Sequence, residues 1–297
     1  MKVLITGASG LIGTALQPRL RAEGHDPLLT SRSEPRDESW IQWDPENGFA
    51  DPSKLEGIDA VVHLAGETVS GLRWTDEKKK AIRNSRVVGT RSVVDAISEL
   101  ETRPRVLVSA SAIGFYGDRG DEVLTETSKS GKTFLAEVSR EWEAESRRAE
   151  DSGVRTVLLR TGIVLSKDGG ALGTMLMPFK LGLGGVVGDG KQWMSWVSLD
   201  DHVDVIVFAL ENDNVRGAVN SVSPDPVTNE EFTKVMGEVL YRPTFIPVPE
   251  FAVHMMFGEM GEALLLDSTR VIPKRLADLG YKFKFPDLKK AIENAVK

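Results

Sequence analysis

The sequence contains no cysteine, which excludes disulfide bonds, a thiolate nucleophile and cysteine-ligated metal ions. A chain without disulfides suits a reducing compartment, and we therefore expect a cytoplasmic protein. Long apolar runs are also missing, since no uninterrupted run approaches the roughly 20 residues that a membrane span requires. The first apolar run is short and ends in a glycine turn, which is not the layout of a secretory signal peptide. We predict no membrane partner.

Positive charge is in deficit, because 37 Lys and Arg residues face 44 Asp and Glu residues, for a formal net charge of −7. Proteins that bind nucleic acid normally present a basic surface, so we predict no nucleic-acid partner. The acidity needs no special function, because a net charge away from zero favours solubility. A small-molecule substrate is the expected partner, and no metal site is predicted.

Residues 1–13 carry the most informative pattern in the chain. Residues 2–6 predict a short buried strand, and residues 11–16 predict the first turns of a helix. The turn between them has the spacing T-G-x-x-G-x-x-G, which permits a sharp turn, close approach of a pyrophosphate and close packing of the helix. The N–H groups at the start of such a helix bind phosphate. The predicted cofactor contacts are Gly7, Ser9, Gly10, Leu11, Ile12 and Gly13.

The tip of the second predicted strand, residues 27–30, distinguishes between two cofactors. Dinucleotide-binding units that use NAD usually place Asp or Glu here, where the carboxylate binds the ribose 2′-hydroxyl. This chain has Ser31 and Arg32 instead. A guanidinium pairs with the 2′-phosphate that a carboxylate would repel. We therefore predict NADP as cofactor, bound by Ser31 and Arg32; the alternative is that Arg32 is only a solvated loop residue.

Strands and helices alternate as far as residue 160, with further strands predicted over 58–64, 106–108 and 156–160. This alternation predicts an α/β protein with a doubly wound parallel sheet, an NAD(P)-binding Rossmann fold. We expect a smaller C-terminal substrate lobe beside it.

The composition changes after the last of these strands. Residues 161–195 are dense in glycine, which is typical of loops around a cleft. We predict an NADP-binding Rossmann domain over residues 1–165 and a substrate-binding lobe over residues 166–297. Residues 196–222 are expected to return to the first domain.

Small residues end the strand at 58–64. Leu64, Ala65 and Gly66 would let a cofactor pass close to the backbone, and we predict all three as cofactor contacts. His63 precedes them and admits two interpretations, a metal or acid–base role and a buried structural role. We favour the structural one.

Hydroxyl groups follow the strand at 106–108. At the carboxyl edge of a parallel sheet, beside a nicotinamide, they are well placed to hydrogen-bond a substrate carbonyl. We predict Ser109 as a cofactor contact and Ser111 and Tyr116 as catalytic residues. The alternative is that the serines only satisfy backbone groups of a loop.

The chain resembles the extended short-chain dehydrogenase/reductases, which include the nucleoside-diphosphate-sugar epimerases. The resemblance rests on the glycine turn, Leu64-Ala65-Gly66, the serines at 109–111 and Leu159-Arg160. More narrowly, the chain is similar to an atypical epimerase-like subgroup. The blocks that carry this match run over nearly the whole chain and are 63–67, 84–86, 109–117, 178–185, 190–196 and 271–276.

The resemblance implies an NADP-binding Rossmann core and a C-terminal substrate lobe. By matching position, Leu64 and Ala65 would pass along the cofactor. Arg86 would contact a cofactor phosphate or ribose, and Ile163 would lie near the nicotinamide through its backbone. Ser31 and Arg32 would bind the 2′-phosphate.

The chain departs from the family at the active site. Members typically use Tyr-x-x-x-Lys, with the tyrosine as acid and base, but the two positions fall here near Leu135 and Ser139. Of the three tyrosines in the chain, only Tyr116 lies near the predicted site. Tyr116 is therefore the candidate replacement, with Ser111 orienting the substrate.

These features predict an NADP-dependent oxidoreductase or epimerase acting on a hydroxyl or carbonyl of a small polar, sugar-nucleotide-like metabolite. The rival hypothesis is a catalytically inactive NADPH-binding sensor or regulatory protein, which the loss of Tyr-x-x-x-Lys favours. A purely structural α/β domain is a third reading. The resemblance also suggests a possible homodimer through helices over residues 74–100 and 133–151.

Overall fold

The computed structural model describes residues 1–35 and 37–297. Its strands, numbered in chain order, are β1 Lys2–Thr6, β2 Asp26–Ser31, β3 Trp40–Asp44, β4 Gly48–Phe49, β5 Ala60–His63, β6 Val106–Ala112, β7 Val123–Leu124, β8 Arg155–Thr161, β9 Ile163–Leu165, β10 Trp193–Met194, β11 Trp196–Ser198, β12 Gly217–Ser221, β13 Val227–Thr228 and β14 Arg270–Val271. The helices are α1 Leu11–Ala22, α2 Asp76–Ser98, α3 Phe134–Arg147, α4 Gly170–Lys180, α5 Leu199–Glu211, α6 Asn229–Leu240, α7 Glu250–Phe257, α8 Glu259–Gly261, α9 Lys274–Asp278 and α10 Leu288–Ala295. None of them, in this described part of the chain, is both long and apolar enough to span a membrane.

Eight of the described strands form one sheet in the order β12-β8-β6-β5-β1-β2-β3-β4. Neighbouring strands are parallel except for the antiparallel pair β3 and β4. The chain winds outward from β1 in one direction and from β5 in the other, so the predicted doubly wound parallel sheet is confirmed. In such sheets, ligands bind beyond the carboxyl ends of the strands where the winding reverses.

Helices cover both faces of the sheet. Side chains of α1 and α5 pack on one face, where Val3, Leu16 and Ile206 are completely buried. Side chains of α2 pack on the other face, where Leu4 and Val93 are completely buried. The alternation of Val3 and Leu4 in β1 serves both layers, as expected of a central strand that is buried on both sides.

A separate apolar core lies beyond the carboxyl ends of the strands. Trp196, Phe232 and Ile292 meet in it, and α4, α6 and α10 surround them. Helix α6 begins at a reciprocal cap in which the Thr228 side chain accepts from the Glu231 amide and the Glu231 carboxylate accepts from the Thr228 amide. This reciprocal arrangement is a capping box, which satisfies two amides at the start of the helix.

The later part of the chain also contributes to the first sheet. β12 pairs with β8, and Leu276 of α9 is completely buried in the core beside α1 and α5. The buried Asp201 carboxylate accepts from the backbone amides of Lys284 at 2.6 Å and Phe285 at 3.0 Å. The division of the chain at residue 165 stays a prediction.

Candidate functional site

The glycine turn joins β1 to α1 with little space to spare. Gly7 has a φ of +69°, and a Cβ there would lie 2.8 Å from the amide nitrogen of Ala65. A Cβ on Gly13 would lie 2.8 Å from the Cα of Ala8 and closer still to the Gly7 carbonyl oxygen. Both glycines are therefore required by the packing of the turn itself. Gly10 is different, because its φ is −78° and it stands, exposed, at the start of α1.

A buried histidine holds the adjacent loop in place. His63 Nδ1 lies 2.6 Å from Thr6 Oγ1, and His63 Nε2 lies 2.9 Å from Thr90 Oγ1. Thr6 Oγ1 also accepts from the amides of Leu64 and Ala65, which start the loop after β5. Burial lowers the pKa of His63 to about 4, so the ring is neutral at physiological pH. These contacts agree with the structural interpretation of His63.

The turn and this loop line a first cavity of about 350 Å³. Its walls include five of the predicted turn residues, together with Leu64 and Ile163. No side chain caps the start of α1 at this cavity in the described residues, so its first N–H groups are open to an anion. The residues that line the cavity are Gly7, Gly10, Leu11, Ile12, Gly13, Leu64, Gly162, Ile163, Val164, Gly170 and Ala171. Ser9 is exposed beside the turn but is not one of them.

At the tip of β2, hydroxyl groups and an exposed cation occur together. Ser31 Oγ donates to the Ser33 carbonyl at 3.0 Å, and the two serine hydroxyls lie 2.9 Å apart. The Arg32 carbonyl accepts from Gln42 Nε2 of β3, which fixes the backbone. The Arg32 side chain is exposed. This is the geometry in which a phosphate can be bound by a guanidinium and two hydroxyls.

Arg86 lies against the loop that contains Gly66. Its Nη1 donates to the carbonyls of Glu67 at 2.9 Å and Ile82 at 3.2 Å, and its guanidinium stacks 5.1 Å from the Trp142 ring. A Cβ on Gly66 would lie 3.4 Å from Arg86 Cζ. Burial lowers the pKa of Arg86 to about 10, which leaves the group cationic at neutral pH.

A second cavity of about 450 Å³ adjoins the first. The two cavities share wall residues at the start of β9 and of α4, namely Gly162, Ile163, Gly170 and Ala171. The second cavity extends between α3 and the segment from α7 to β14. Leu135 and Ser139, near which the sequence analysis puts the family's Tyr and Lys positions, both line it.

The two residues predicted as catalytic do not line either cavity. Ser111 is 4% exposed and donates from Oγ to Glu143 Oε1 at 2.8 Å. Tyr116 is completely buried, and its hydroxyl donates to Asn220 Oδ1 at 2.6 Å. Burial raises the pKa of Tyr116, so the phenol stays protonated and cannot serve as a base at neutral pH. The structure therefore contradicts the expected position of both hydroxyls.

The reason lies in the length and alternation of β6. The strand continues to Ala112, beyond the predicted end at Val108, so Ser109 and Ser111 are strand residues with the same facing. Both point to α3: the completely buried Ser109 hydroxyl accepts from Ser146 Oγ at 2.8 Å. Ser109 lines neither cavity, whereas Ala112 lines the second.

The sequence interpretation missed one ionisable side chain of the second cavity, Asp267. It follows the short segment after α8 and lines the cavity opposite α3. Burial, with the negative charges of Asp118 and Glu262, raises the pKa of its carboxyl to about 6 from an ordinary 3.8. A group with this pKa exchanges protons near neutral pH. An acidic residue directly after the apolar Leu264–266 was the one available signal.

The chain belongs to the NAD dependent epimerase/dehydratase family, whose model matches residues 3–221. A second model, a domain of unknown function (DUF1731), matches residues 248–295. The fold and the glycine turn at the reversal of the sheet are those expected of an NAD(P)-binding Rossmann protein. The family resemblance predicted from the sequence is thereby confirmed.

Relatives match along almost the whole chain. Epimerase family protein MT2273 of Mycobacterium tuberculosis is 42% identical over 95% of this chain and 93% of its own length. The chloroplastic SDR39U1 homolog of Arabidopsis thaliana is 43% identical over 98% of this chain and 86% of its own length. The crystal structure of human epimerase family protein SDR39U1 with NADPH superposes with a TM-score of 0.91 at 36% identity, covering 99% of both chains. Because the plant relative is chloroplastic, a cytoplasmic location for this chain stays a prediction.

Proposed function

We propose that this protein is an NADP-dependent oxidoreductase or epimerase with an active site that lacks Tyr-x-x-x-Lys. The observation that carries the proposal is the wall that the two cavities share at Gly162 and Ile163. A dinucleotide with its phosphates at the glycine turn would present its far end to the second cavity, where a substrate can be enclosed.

The residues present fit such a cofactor. Gly10 leaves the start of α1 open to a pyrophosphate, and Ser31 with the exposed Arg32 suits a 2′-phosphate. The NADPH in the crystal structure of the human relative supports the choice of NADP. When bound, the nicotinamide supplies hydride chemistry, and the protein orients it and shields it from water.

We assign cofactor positioning, proton exchange and hydrogen-bonding of the substrate to residues in the walls of the second cavity. Ile163 positions the cofactor through its backbone, which is anchored by a 2.8 Å hydrogen bond from its amide to the Ser195 carbonyl. Asp267 is the candidate group for proton exchange with the substrate, because it is ionisable near neutral pH and lines the cavity. Ser139 is the candidate hydroxyl for hydrogen-bonding a substrate oxygen.

The test is a labelling experiment on the full-length protein. NADPH binding is first measured by fluorescence titration. NADPH carrying deuterium at the transferable position is then incubated with the protein and a metabolite extract, and the label is followed by mass spectrometry. We expect deuterium to appear in a metabolite, or, for an epimerase that recycles its cofactor, a change of configuration without net transfer. Failure to bind NADPH would remove the proposal.

A second candidate function is an NADPH-binding sensor without catalysis. The observation that favours it is Leu135, which occupies a cavity wall where the family carries its catalytic tyrosine. Tight NADPH binding without label transfer or change of configuration in any metabolite would support the sensor over the enzyme.

A further inference from the structure

The walls of the second cavity are mainly apolar. Helix α3 contributes Leu135, Val138 and Trp142 to one side. Met175 of α4 and Met260 of α8 contribute to others. The polar atoms between them belong mostly to neutral hydroxyl and amide groups. Such a surface favours apolar ligands that carry few, well-placed polar groups.

Positive charge is almost absent from these walls. Among the described residues that line the cavity, Arg86 is the one Lys or Arg side chain. Its Nη1 is occupied by two backbone carbonyls and its guanidinium stacks on Trp142. By the family resemblance, its remaining donors are expected to contact the cofactor. Arg270 stacks 3.9 Å from the Trp193 ring but is not among the lining residues of the described chain.

Negative charge, by contrast, is present without a partner. The Asp267 carboxylate forms no hydrogen bond or ion pair in residues 1–35 and 37–297, and Asp118 and Glu262 add to the negative potential around it. A diphosphate enclosed here would meet repulsion from Asp267 and would find no free cation to replace its lost hydration.

From these walls, and resting on the proposed function, we infer that the second cavity takes an uncharged, mainly apolar carbonyl compound or alcohol and excludes nucleoside diphosphate sugars. The apolar walls bury the body of such a molecule. Its single oxygen can be hydrogen-bonded by Ser139 or by the protonated form of Asp267. The charge balance of the cavity thus opposes the sugar-nucleotide substrate that the family resemblance implies.

The test is a competition experiment on the full-length protein saturated with NADP⁺. The probe is prodan, an uncharged aromatic ketone whose fluorescence shifts when it leaves water. The competitors are 2-decanone and 2-decanol on one side and UDP-glucose on the other. We expect the apolar compounds to displace prodan and UDP-glucose to leave it bound.

Two variants on one helix establish where the probe binds. Met175 lines the cavity, whereas Met177 is 62% exposed on the same helix and does not. Met175→Lys adds an uncompensated cation to an apolar wall, and we expect it to weaken prodan binding about tenfold or more. Met177→Lys makes the same chemical change outside the cavity, and we expect an effect below about twofold.

Each remaining result contradicts the inference in its own way. Displacement of prodan by UDP-glucose, together with weaker prodan binding in Met175→Lys, would show that the cavity accepts a nucleoside diphosphate sugar. This result would overturn the inferred substrate class and leave the NADP-dependent function intact. Prodan binding that is equal in both variants would show that the probe occupies another surface, and would also overturn it. Calorimetry with NADP⁺ alone separates these cases from failure of the proposed function, which would appear as absence of cofactor binding.

Discussion

Glu143 of α3 and Arg160 of β8 form a buried ion pair, with Arg160 Nε 2.7 Å from Glu143 Oε1 and Arg160 Nη2 2.9 Å from Oε2. Both side chains are about 95% removed from solvent, at 4% and 6% exposure. Ser111 donates to the same carboxylate, and Arg160 Nη1 donates to the Tyr116 hydroxyl at 3.1 Å. The two hydroxyls that the sequence suggested for catalysis thus complete a buried polar network.

Loss of one member of this pair should destabilise the fold strongly. Arg160→Met leaves the Glu143 carboxylate buried without a cation, and we expect the free energy of unfolding to fall by about 3–5 kcal/mol. Denaturant unfolding followed by circular dichroism measures the change. Lys282→Met, at an exposed position, is the matched control. Equal midpoints for Arg160→Met and the control would contradict a structural role for the pair.

Tyr116→Phe should affect stability rather than chemistry. The variant leaves Asn220 Oδ1 and an Arg160 N–H without their buried partner, which costs about 1–3 kcal/mol. We expect NADPH affinity to be unchanged and turnover, where a substrate is known, to stay within about twofold. A tenfold loss of kcat at unchanged stability would return Tyr116 to the catalytic machinery.

Arg32→Asp should reverse the preference between the two nicotinamide cofactors. The new carboxylate repels a 2′-phosphate and can accept from a ribose 2′-hydroxyl, so the affinity for NADPH should fall and that for NADH should rise. Fluorescence titration with both cofactors gives the ratio of affinities. Lys282→Asp makes the same change in net charge at an exposed position in a different part of the chain. An unchanged ratio in Arg32→Asp would exclude a phosphate contact.

Substitutions of two glycines in the turn should affect stability and cofactor binding differently. A Cβ on Gly10 meets only the Gly7 carbonyl oxygen, at 3.2 Å, so Gly10→Ala should fold normally and lose affinity for NADPH. A Cβ on Gly13 collides with the backbone of Gly7 and Ala8, so Gly13→Ala should also lower the free energy of unfolding by about 1–3 kcal/mol. Thermal unfolding and NADPH titration of both variants test this, and equal stabilities would contradict it.

The Asp267 carboxyl should make stability depend on pH in a defined direction. Its pKa is about 6 in the folded protein against an ordinary 3.8, so the folded state retains the proton over a range in which the unfolded state has lost it. Its contribution to stability therefore decreases as pH rises from about 4 to about 6. Asp267→Asn removes this penalty, and the variant should melt above the wild type at pH 7–8.

The difference in melting temperature between Asp267→Asn and the wild type should shrink toward zero near pH 4. Comparison with the wild type at each pH cancels the titration of all other groups. Glu293→Gln, which changes the charge by the same amount in the terminal helix, serves as the control. A constant difference across the whole pH range would show that the Asp267 carboxyl is not perturbed.

Sequence reasoning succeeded where the determinants are local. The strand, turn and helix around Gly7 and Gly13 are defined by residues adjacent in the chain, and the structure contains all three elements. The phosphate contact of Arg32 at the tip of β2 is also a local prediction, and it stays a prediction. Counting along one helix was also enough to put Leu135 and Ser139 at the family's catalytic positions, and the structure brings both to the cavity.

It failed where the determinants are distant. Which way Ser111 faces depends on how far β6 continues and on Glu143, 32 residues away. The environment of Tyr116 depends on Asn220, 104 residues away. Asp267 reaches the cavity only because the last part of the chain folds back over the sheet, which no local pattern indicates.

Because the last part of the chain folds back over the sheet, ligand binding in the second cavity is linked to the packing of the C-terminal segment. Leu276 is inserted in the main core, Asp201 holds the amides of Lys284 and Phe285, and the same C-terminal segment supplies Met260 and Asp267 to the cavity. A ligand that contacts both this segment and α3 stabilises the packing of the segment against the rest of the protein by mass action. Ligand binding in the cavity and packing of the C-terminal segment are therefore coupled. Resistance of this segment to proteolysis consequently reports whether the cavity is occupied.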